Sequence, residues 1–137
     1  VKIAVDRNHP PRIYSICSGN KENEIRILFN VKDDGFLTPK LSAMIPGEEI
    51  LVSSPYGSFL GTKEKSWLIA TGTGIAPFYS MIKSGLANSK KLIHGVRNLN
   101  QFYFEDELDQ VLNENYIRCC SGESSCNTFP GRVTDSS

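Results

Sequence analysis

The chain has 137 residues, enough for one domain or two small ones and too few for a large multidomain enzyme. Its 15 basic residues balance its 15 acidic residues, so the surface as a whole lacks the positive field that attracts nucleic acids, and a nucleic-acid partner is not expected. Hydrophobic residues make up 39% of the chain, with 11 Gly and 7 Pro, a globular composition that argues against disorder, collagen and coiled coil.

The first half of the chain predicts an antiparallel β-structure. Short apolar stretches separated by turn residues are typical of strands, and they cover residues 1–5, 13–17, 24–31 and 49–53. A short helix is predicted over residues 38–44 and ends before Pro46 and Gly47. We therefore expect residues 1–62 to form a small antiparallel barrel, or an incomplete one.

The second half, residues 63–137, alternates strands and helices. Strands are predicted at 67–70, 91–95 and 116–120, and helices at 77–86 and 99–113. Such a βαβαβ order indicates a parallel sheet with helices packed on it, so a second, α/β domain begins near residue 62. Trp67, at the start of the first of these strands, is expected in the core.

The segment from Thr71 to Pro77 lies between a predicted parallel strand and a predicted helix, where a backbone turn can bind phosphate. Gly72 and Gly74 allow a tight turn and a close approach to a ligand, while the first N–H groups of the following helix favour an anion. Pro77 suits the first helical turn, where its missing N–H has no partner to lose. The pattern has Pro where Gly-x-Gly-x-x-Gly ends in Gly, so a purely structural turn remains an alternative.

A second candidate site is the predicted strand segment Arg12-Ile13-Tyr14-Ser15. Residues two apart share one face of a strand, so Arg12 and Tyr14 point the same way. A guanidinium can bind a phosphate in a forked geometry while a tyrosine ring stacks on a planar heterocycle. An ordinary solvated strand face would show the same residues, and that alternative stays open.

These segments, in this order, resemble the ferredoxin-NADP reductase family of flavoenzymes. The resemblance rests on Arg12-Ile13-Tyr14-Ser15, Gly35-Phe36-Leu37-Thr38, Pro55-Tyr56-Gly57, the run from Gly72 to Phe78, and His94-Gly95-Val96-Arg97. It implies an N-terminal antiparallel barrel that binds FAD, with FMN as the alternative, and a C-terminal α/β domain that binds NADPH or NADH. The barrel's first strands and the family's C-terminal aromatic have no counterpart, so both ends of the chain resemble the edges of a fragment.

The resemblance also implies roles for individual residues. Arg12 would bind a flavin phosphate, while Tyr14 would stack on the isoalloxazine and Ser15 would lie near its reactive N5, so these two are the predicted catalytic residues. A helix N-cap is the alternative role for Thr38. The full set of predicted flavin contacts is Arg12, Ile13, Tyr14, Ser15, Phe29, Asn30, Val31, Gly35, Phe36, Leu37 and Thr38; the predicted dinucleotide contacts are Gly72, Thr73, Gly74, Pro77, Arg97, Ser121 and Arg132.

One departure concerns the coenzyme. Where the family commonly has Ser-Arg-Glu, whose Arg helps to bind the 2'-phosphate of NADPH, this chain has Ser121-Gly122-Glu123. Arg97 and Arg132 remain as candidate phosphate contacts, so the choice between NADPH and NADH stays open.

The resemblance predicts a flavin-dependent oxidoreductase that passes electrons from NAD(P)H to an acceptor protein such as ferredoxin or flavodoxin. Two alternatives are a reductase component of an oxygenase or diflavin system, and a non-catalytic nucleotide-binding module. His9 is expected in a loop and His94 as a packed residue, and the cysteines lack metal-site spacing, so no metal is predicted. Reduced thiols, short apolar runs and the absence of a leader before Val1 favour a cytoplasmic protein without a membrane span.

Overall fold

The computed structural model describes residues 1–135, and its first half is built on a small antiparallel sheet. Strand β1 (Lys2–Ala4) lies between β2 (Arg12–Ile13) and β3 (Leu51–Val52). Ile3 of β1 is opposite Arg12 on one side and Val52 on the other, and its side chain is buried. Helix α1 (Leu37–Ala43) follows a turn at Gly35 and begins one residue before its predicted start.

The barrel expected for this half is not closed. Residues 24–31, predicted as a strand, pair with the chain only through an isolated bridge between Ile27 and Ile16, beside which the Cys17 N–H donates to the Arg26 carbonyl at 2.9 Å. A strand needs a partner along its length, and the three strands of this sheet are only two or three residues long, so residues 24–31 form no ladder with them.

The second half contains a four-stranded parallel sheet in chain order. Its strands are β4 (Ser66–Thr71), β5 (Lys90–Val96), β6 (Tyr116–Cys120) and the unpredicted β7 (Phe129–Pro130). Helices α2 (Ile75–Lys83) and α3 (Glu105–Leu112) bury most of their apolar residues against one face of this sheet. Leu68 and Leu92 on the sheet and Ile75 and Leu108 on the helices form the centre of this core.

Part of the opposite sheet face is uncovered. Trp67 and Ile69 of β4 are 57% and 56% exposed, so the expectation that Trp67 lies in the core is wrong. Further along this face, Val133 packs so closely on Gly95 that a Cβ there would lie 2.5 Å from the Val133 Cγ1. The two helices cover only the face to which Leu68 and Ala70 point, which is why alternate residues of β4 are exposed.

The helix predicted over residues 99–113 is interrupted. A short 3-10 helix (Leu99–Gln101), closed by a capping box between Asn98 and Gln101, precedes α3. Phe104 between them has a left-handed backbone with a φ of 61°. Its ring stacks on Tyr79 of α2 at 3.8 Å between ring centres, and this packing outweighs the backbone cost.

The two halves contact each other along α2 and the segment before α3. Cys17 belongs to the core of the second half. The Ser80 hydroxyl donates to the Ser18 carbonyl at 2.6 Å, and the Tyr103 hydroxyl donates to the Asn30 Oδ1 at 2.7 Å. A domain boundary near residue 62 stays a prediction. Within residues 1–135, no helix has the length and apolar character needed to cross a membrane.

Candidate functional site

A cleft of about 900 Å³ lies where the two halves meet. Its lining contains most of the residues that the sequence analysis selected: Arg12, Ile13, Tyr14, Ser15, Phe29, Asn30, Gly35, Phe36, Leu37, Thr38, Thr73 and Gly74. Segments far apart in the sequence therefore meet in one space. The other selected residues do not line this cleft: Val31, Gly72, Pro77, Arg97, Ser121 and Arg132.

One wall is formed by β2 and the residues that follow it. The Tyr14 N–H donates to the Val1 carbonyl at 2.9 Å, which fixes the backbone beyond the end of the strand. The Tyr14 ring meets Phe29 edge to face, with 6.3 Å between ring centres. Burial raises the pKa of Tyr14 above its ordinary value, with Arg12 opposing the shift, so the ring is neutral at physiological pH. This wall combines an exposed guanidinium with a neutral aromatic face.

A second wall is the turn that leads into α1. The Gly35 N–H donates to the Lys32 carbonyl at 2.8 Å, and the Thr38 hydroxyl accepts the Lys32 N–H at 2.9 Å. The N-cap of α1 is Phe36, so the alternative of Thr38 as N-cap is wrong. The Thr38 hydroxyl nevertheless stabilises the turn, because it accepts a hydrogen bond from the N–H of Lys32, which lies before the helix.

Two residues of this wall escaped the sequence analysis. His9 stacks on Phe36 at 3.7 Å between ring centres, and its Nδ1 lies 2.8 Å from the Asp6 carboxylate. The hydrogen bond from His9 lowers the pKa of Asp6. Lys32 lines the cleft beside them and adds a second cation to that of Arg12. Neither residue belongs to a recognisable motif, so only the chain's path in three dimensions brings them to the cleft.

The glycine turn follows β4 and consists of a 3-10 helix (Gly72–Gly74) that runs into α2. Gly72 has a φ of 51°, a conformation that favours glycine. Gly74 differs, because its φ of −62° and ψ of −8° suit any residue and a Cβ there would meet nothing within 4 Å. The fold does not require glycine at this position. The missing side chain instead leaves open space at the cleft.

The remaining candidates lie beyond the carboxyl ends of neighbouring strands. Arg97 follows β5, Ser121 follows β6 and Arg132 comes shortly after β7, and in a parallel sheet these ends share the edge that also carries the Gly72–Gly74 turn. The Gly122 N–H donates to the Arg97 carbonyl at 2.9 Å, and a Cβ on Gly122 would lie only 2.4 Å from that oxygen. Glycine is therefore needed here for the close approach of two loops.

The cleft fits a large, partly planar, anionic ligand such as a flavin nucleotide. Apolar and aromatic side chains line it, and Arg12 and Lys32 supply positive charge. Gly74 leaves space next to the first backbone N–H groups of α2, which can bind an anion. A metal ion has no comparable site, because no three His, Cys, Asp or Glu side chains cluster anywhere in residues 1–135. Over the same range all four cysteines are unpaired, and three of them are buried.

The sequence is similar to proteins of known families. Residues 68–128 match the family described as the oxidoreductase NAD-binding domain. A ferredoxin-NADP reductase of Pseudomonas aeruginosa is 33% identical over 124 residues, which cover 83% of this chain and 48% of that protein. The toluate 1,2-dioxygenase electron transfer component of Pseudomonas putida is 27% identical over 98% of this chain and 43% of that protein.

The fold is similar to that of solved structures. A ferredoxin NADP+ reductase from Neisseria gonorrhoeae, crystallised with bound FAD and NADP, superposes on 98% of this chain with a TM-score of 0.80 and 20% identity, over 60% of its own length. The chain spans about half the length of the curated relatives it matches. Sequence and fold thus agree on one group of proteins.

Proposed function

Since this chain belongs to the ferredoxin-NADP reductase family, we propose that it binds a flavin in the cleft and a nicotinamide dinucleotide at the Gly72–Gly74 turn, and that it passes electrons from NAD(P)H to an acceptor. The observation that carries the proposal is the composition of the cleft. Arg12, Tyr14 and Ser15 from the first half line the same space as Thr73 and Gly74 from the second. A flavin on the first set and a nicotinamide at the second would be neighbours.

Each part of the chain has a task in this arrangement. Arg12 and Lys32 would bind phosphate oxygens, since a charge-assisted contact to a guanidinium is among the stronger hydrogen bonds in proteins. Tyr14 would cover one face of a planar ring with its neutral phenol, and Ser15 would offer a hydroxyl beside it. Phe29, which meets the Tyr14 ring, would exclude water from that end of the cleft. When bound, flavin and nicotinamide supply the redox chemistry, and the protein supplies position.

The acceptor is the open part of the proposal. Ferredoxin is favoured by the reductase of Pseudomonas aeruginosa, which has the higher identity of the two relatives described. An oxygenase is the second candidate, because the similarity to the dioxygenase electron transfer component extends over 98% of this chain. A non-catalytic nucleotide-binding module is disfavoured, since Arg12, Tyr14 and Ser15 are all retained at the cleft.

A reconstitution experiment tests the proposal. The purified chain is mixed with FAD or FMN, freed of excess flavin, and titrated anaerobically with NADPH and NADH while its visible absorption is recorded. We expect a yellow protein that bleaches on addition of reduced nicotinamide. A protein that retains no flavin, or a flavin that neither coenzyme reduces, contradicts the proposal.

Gly74→Val separates the two parts of the site. A Cβ at position 74 meets no protein atom within 4 Å and needs no unusual backbone conformation, so folding should be unchanged. Flavin retention should also be unchanged, because the proposed flavin contacts Arg12 and Tyr14 lie on another wall of the cleft. The added side chain occupies space at the turn, and reduction by NAD(P)H should slow by roughly tenfold or more, which corresponds to the loss of one good contact. Ala43→Val, on the exposed last residue of α1, is the matched control. Equal reduction rates in both variants would show that the dinucleotide binds elsewhere.

A further inference from the structure

His94 connects the parallel sheet to the glycine turn. It lies in β5 with its side chain fully buried, on the face covered by the helices. Its Nε2 is 2.9 Å from the Gly72 carbonyl oxygen and its Nδ1 is 3.3 Å from the Tyr116 hydroxyl. Phe102 meets the imidazole edge to face, with 5.5 Å between ring centres. Both ring nitrogens therefore have a defined partner.

These partners determine where the imidazole proton lies. A carbonyl oxygen can only accept, so Nε2 carries the hydrogen and donates it to Gly72. Nδ1 then has a free lone pair, which accepts the Tyr116 O–H. Burial lowers the pKa of His94 below its ordinary value, which favours the neutral ring that this arrangement requires.

The bond to Gly72 also fixes the direction of the next N–H. The Gly72 carbonyl accepts both the Nε2–H of His94 and the N–H of Ile75 at the start of α2. The peptide between Gly72 and Thr73 is trans, so its N–H points opposite to its C=O. With the carbonyl directed at His94, the Thr73 N–H points away from the buried sheet. Thr73 itself lines the cleft.

We propose that His94 is a positioning residue for the dinucleotide: its Nε2–H holds the Gly72 carbonyl, and the rigid peptide plane thereby directs the Thr73 N–H at an acceptor oxygen of NAD(P)H. This inference rests on the proposed function of the Gly72–Gly74 turn. It gives His94 a role besides packing, because a purely apolar side chain would fill the same volume and leave the Gly72 carbonyl held only by the N–H of Ile75. Gly72, with its left-handed φ, is the residue at which rotation of this peptide is easiest.

Variants of the full chain that keep or remove the side-chain N–H donor at position 94 test this role. His94→Gln keeps an N–H about as far from the backbone as Nε2, and His94→Leu removes it. Leu92→Ala, two residues earlier on the same buried face, is the control for lost core packing. We expect the Kd for NADPH and NADH to rise roughly tenfold in His94→Leu, which is one lost hydrogen bond, and to stay within about threefold of the parent in His94→Gln. Leu92→Ala should lower the unfolding temperature without changing either Kd.

Two further readouts do not depend on turnover. Nitrogen-15 NMR of the imidazole should show the neutral ring with its hydrogen on Nε2, and amide exchange at Thr73 should be faster in His94→Leu than in Leu92→Ala. Flavin affinity should be equal in all four proteins. If the imidazole hydrogen is on Nδ1, or if the parent and His94→Leu bind the coenzymes equally well, the role of His94 is refuted and the proposed function is unaffected. A parent chain that binds flavin but no dinucleotide overturns the proposed turn site together with the role of His94.

Discussion

At the scale of single residues, Arg12 gives the most direct test of flavin binding. Arg12→Ala removes a charge-assisted contact to phosphate worth about 1.5–3 kcal/mol, so the Kd for flavin should rise roughly ten- to a hundredfold. Fluorescence titration of FAD and FMN measures this. Arg7→Ala is the matched control, because Arg7 is an exposed arginine that does not line the cleft. Unchanged affinity in Arg12→Ala would remove Arg12 from the site.

The choice of coenzyme depends on two arginines. The 2'-phosphate of NADPH favours forked guanidinium donors, and Arg97 and Arg132 lie at the sheet edge that carries the glycine turn. Because Gly122 replaces the arginine that the family uses for this phosphate, we expect only weak discrimination. The ratio of kcat/KM for NADPH to kcat/KM for NADH should be about tenfold or less. Arg97→Ala and Arg132→Ala should lower that ratio while leaving activity with NADH nearly unchanged. A parent that prefers NADPH several hundredfold contradicts the assignment.

Introducing an arginine at Gly122 is a poor version of the same test. Its Cβ would collide with the Arg97 carbonyl, so the variant would move the backbone of a residue whose role is in question. The variant would restore the family's residue, but a change in coenzyme preference could then come either from the new arginine or from the displaced Arg97 loop. The close packing of these loops thus requires glycine at position 122, where the family commonly has arginine.

His94 should make stability depend on pH. Its pKa in the folded chain is below the ordinary 6.5, so the unfolded chain takes up the proton first as the pH falls. The stabilisation is complete above pH 6.5 and is lost as the pH falls through the folded pKa. Tyr116 is the titratable group in contact with the ring, and Arg118 beside it on β6 is paired with Glu105 and Asp109.

Urea unfolding between pH 7.5 and 5 measures this effect. His94→Gln should flatten the loss of unfolding free energy below pH 6.5, because its side chain does not titrate. His9→Gln, at the other histidine of the chain, measures separately what the exposed pair of His9 and Asp6 contributes to the profile. An identical pH profile in the parent and His94→Gln would assign the pH dependence to other groups.

At the scale of elements, an ion pair attaches α3 to the sheet. Arg118 of β6 is 13% exposed and binds the carboxylates of both Glu105 and Asp109, the latter at 3.1 Å. Arg118→Met keeps the apolar stem but leaves these contacts unmade, at a cost of roughly 1.5–3 kcal/mol of unfolding free energy. Lys83→Met breaks the exposed pair with Glu107 and should cost less than about 1 kcal/mol. Equal losses in the two variants would mean that α3 is held by packing alone.

The elements differ in how far the sequence predicts them. Strand β6 has the predicted bounds, and β4 and β5 extend theirs by one residue at each end, because short apolar runs between turn residues identify a strand well. The break at Phe104 was not predictable from periodicity, since the ring that stabilises it lies on α2. Strand β7 has two exposed residues and no apolar pattern to reveal it.

At the scale of the whole molecule, sequence motifs identified the walls of the cleft but not the links between them. Arg12, Tyr14 and Gly74 belong to motifs with a physical meaning of their own, and all three line the cleft. Val31, in contrast, is 46% exposed and does not line the cleft. The bond from Tyr103 to Asn30 joins the halves across 73 positions of sequence, a distance over which no local pattern carries information.

The exposed face of β4 has an optical consequence. Trp67 is the only tryptophan of the chain, and its indole lies five residues before Gly72, about 17 Å along the strand. Oxidised flavins and reduced nicotinamides absorb where an indole emits, and that separation is short enough for resonance energy transfer. The chain therefore carries its own donor fluorophore: Trp67 emission should dim as either cofactor binds, and in Gly74→Val it should respond to flavin as in the parent but to NADPH only at higher concentration.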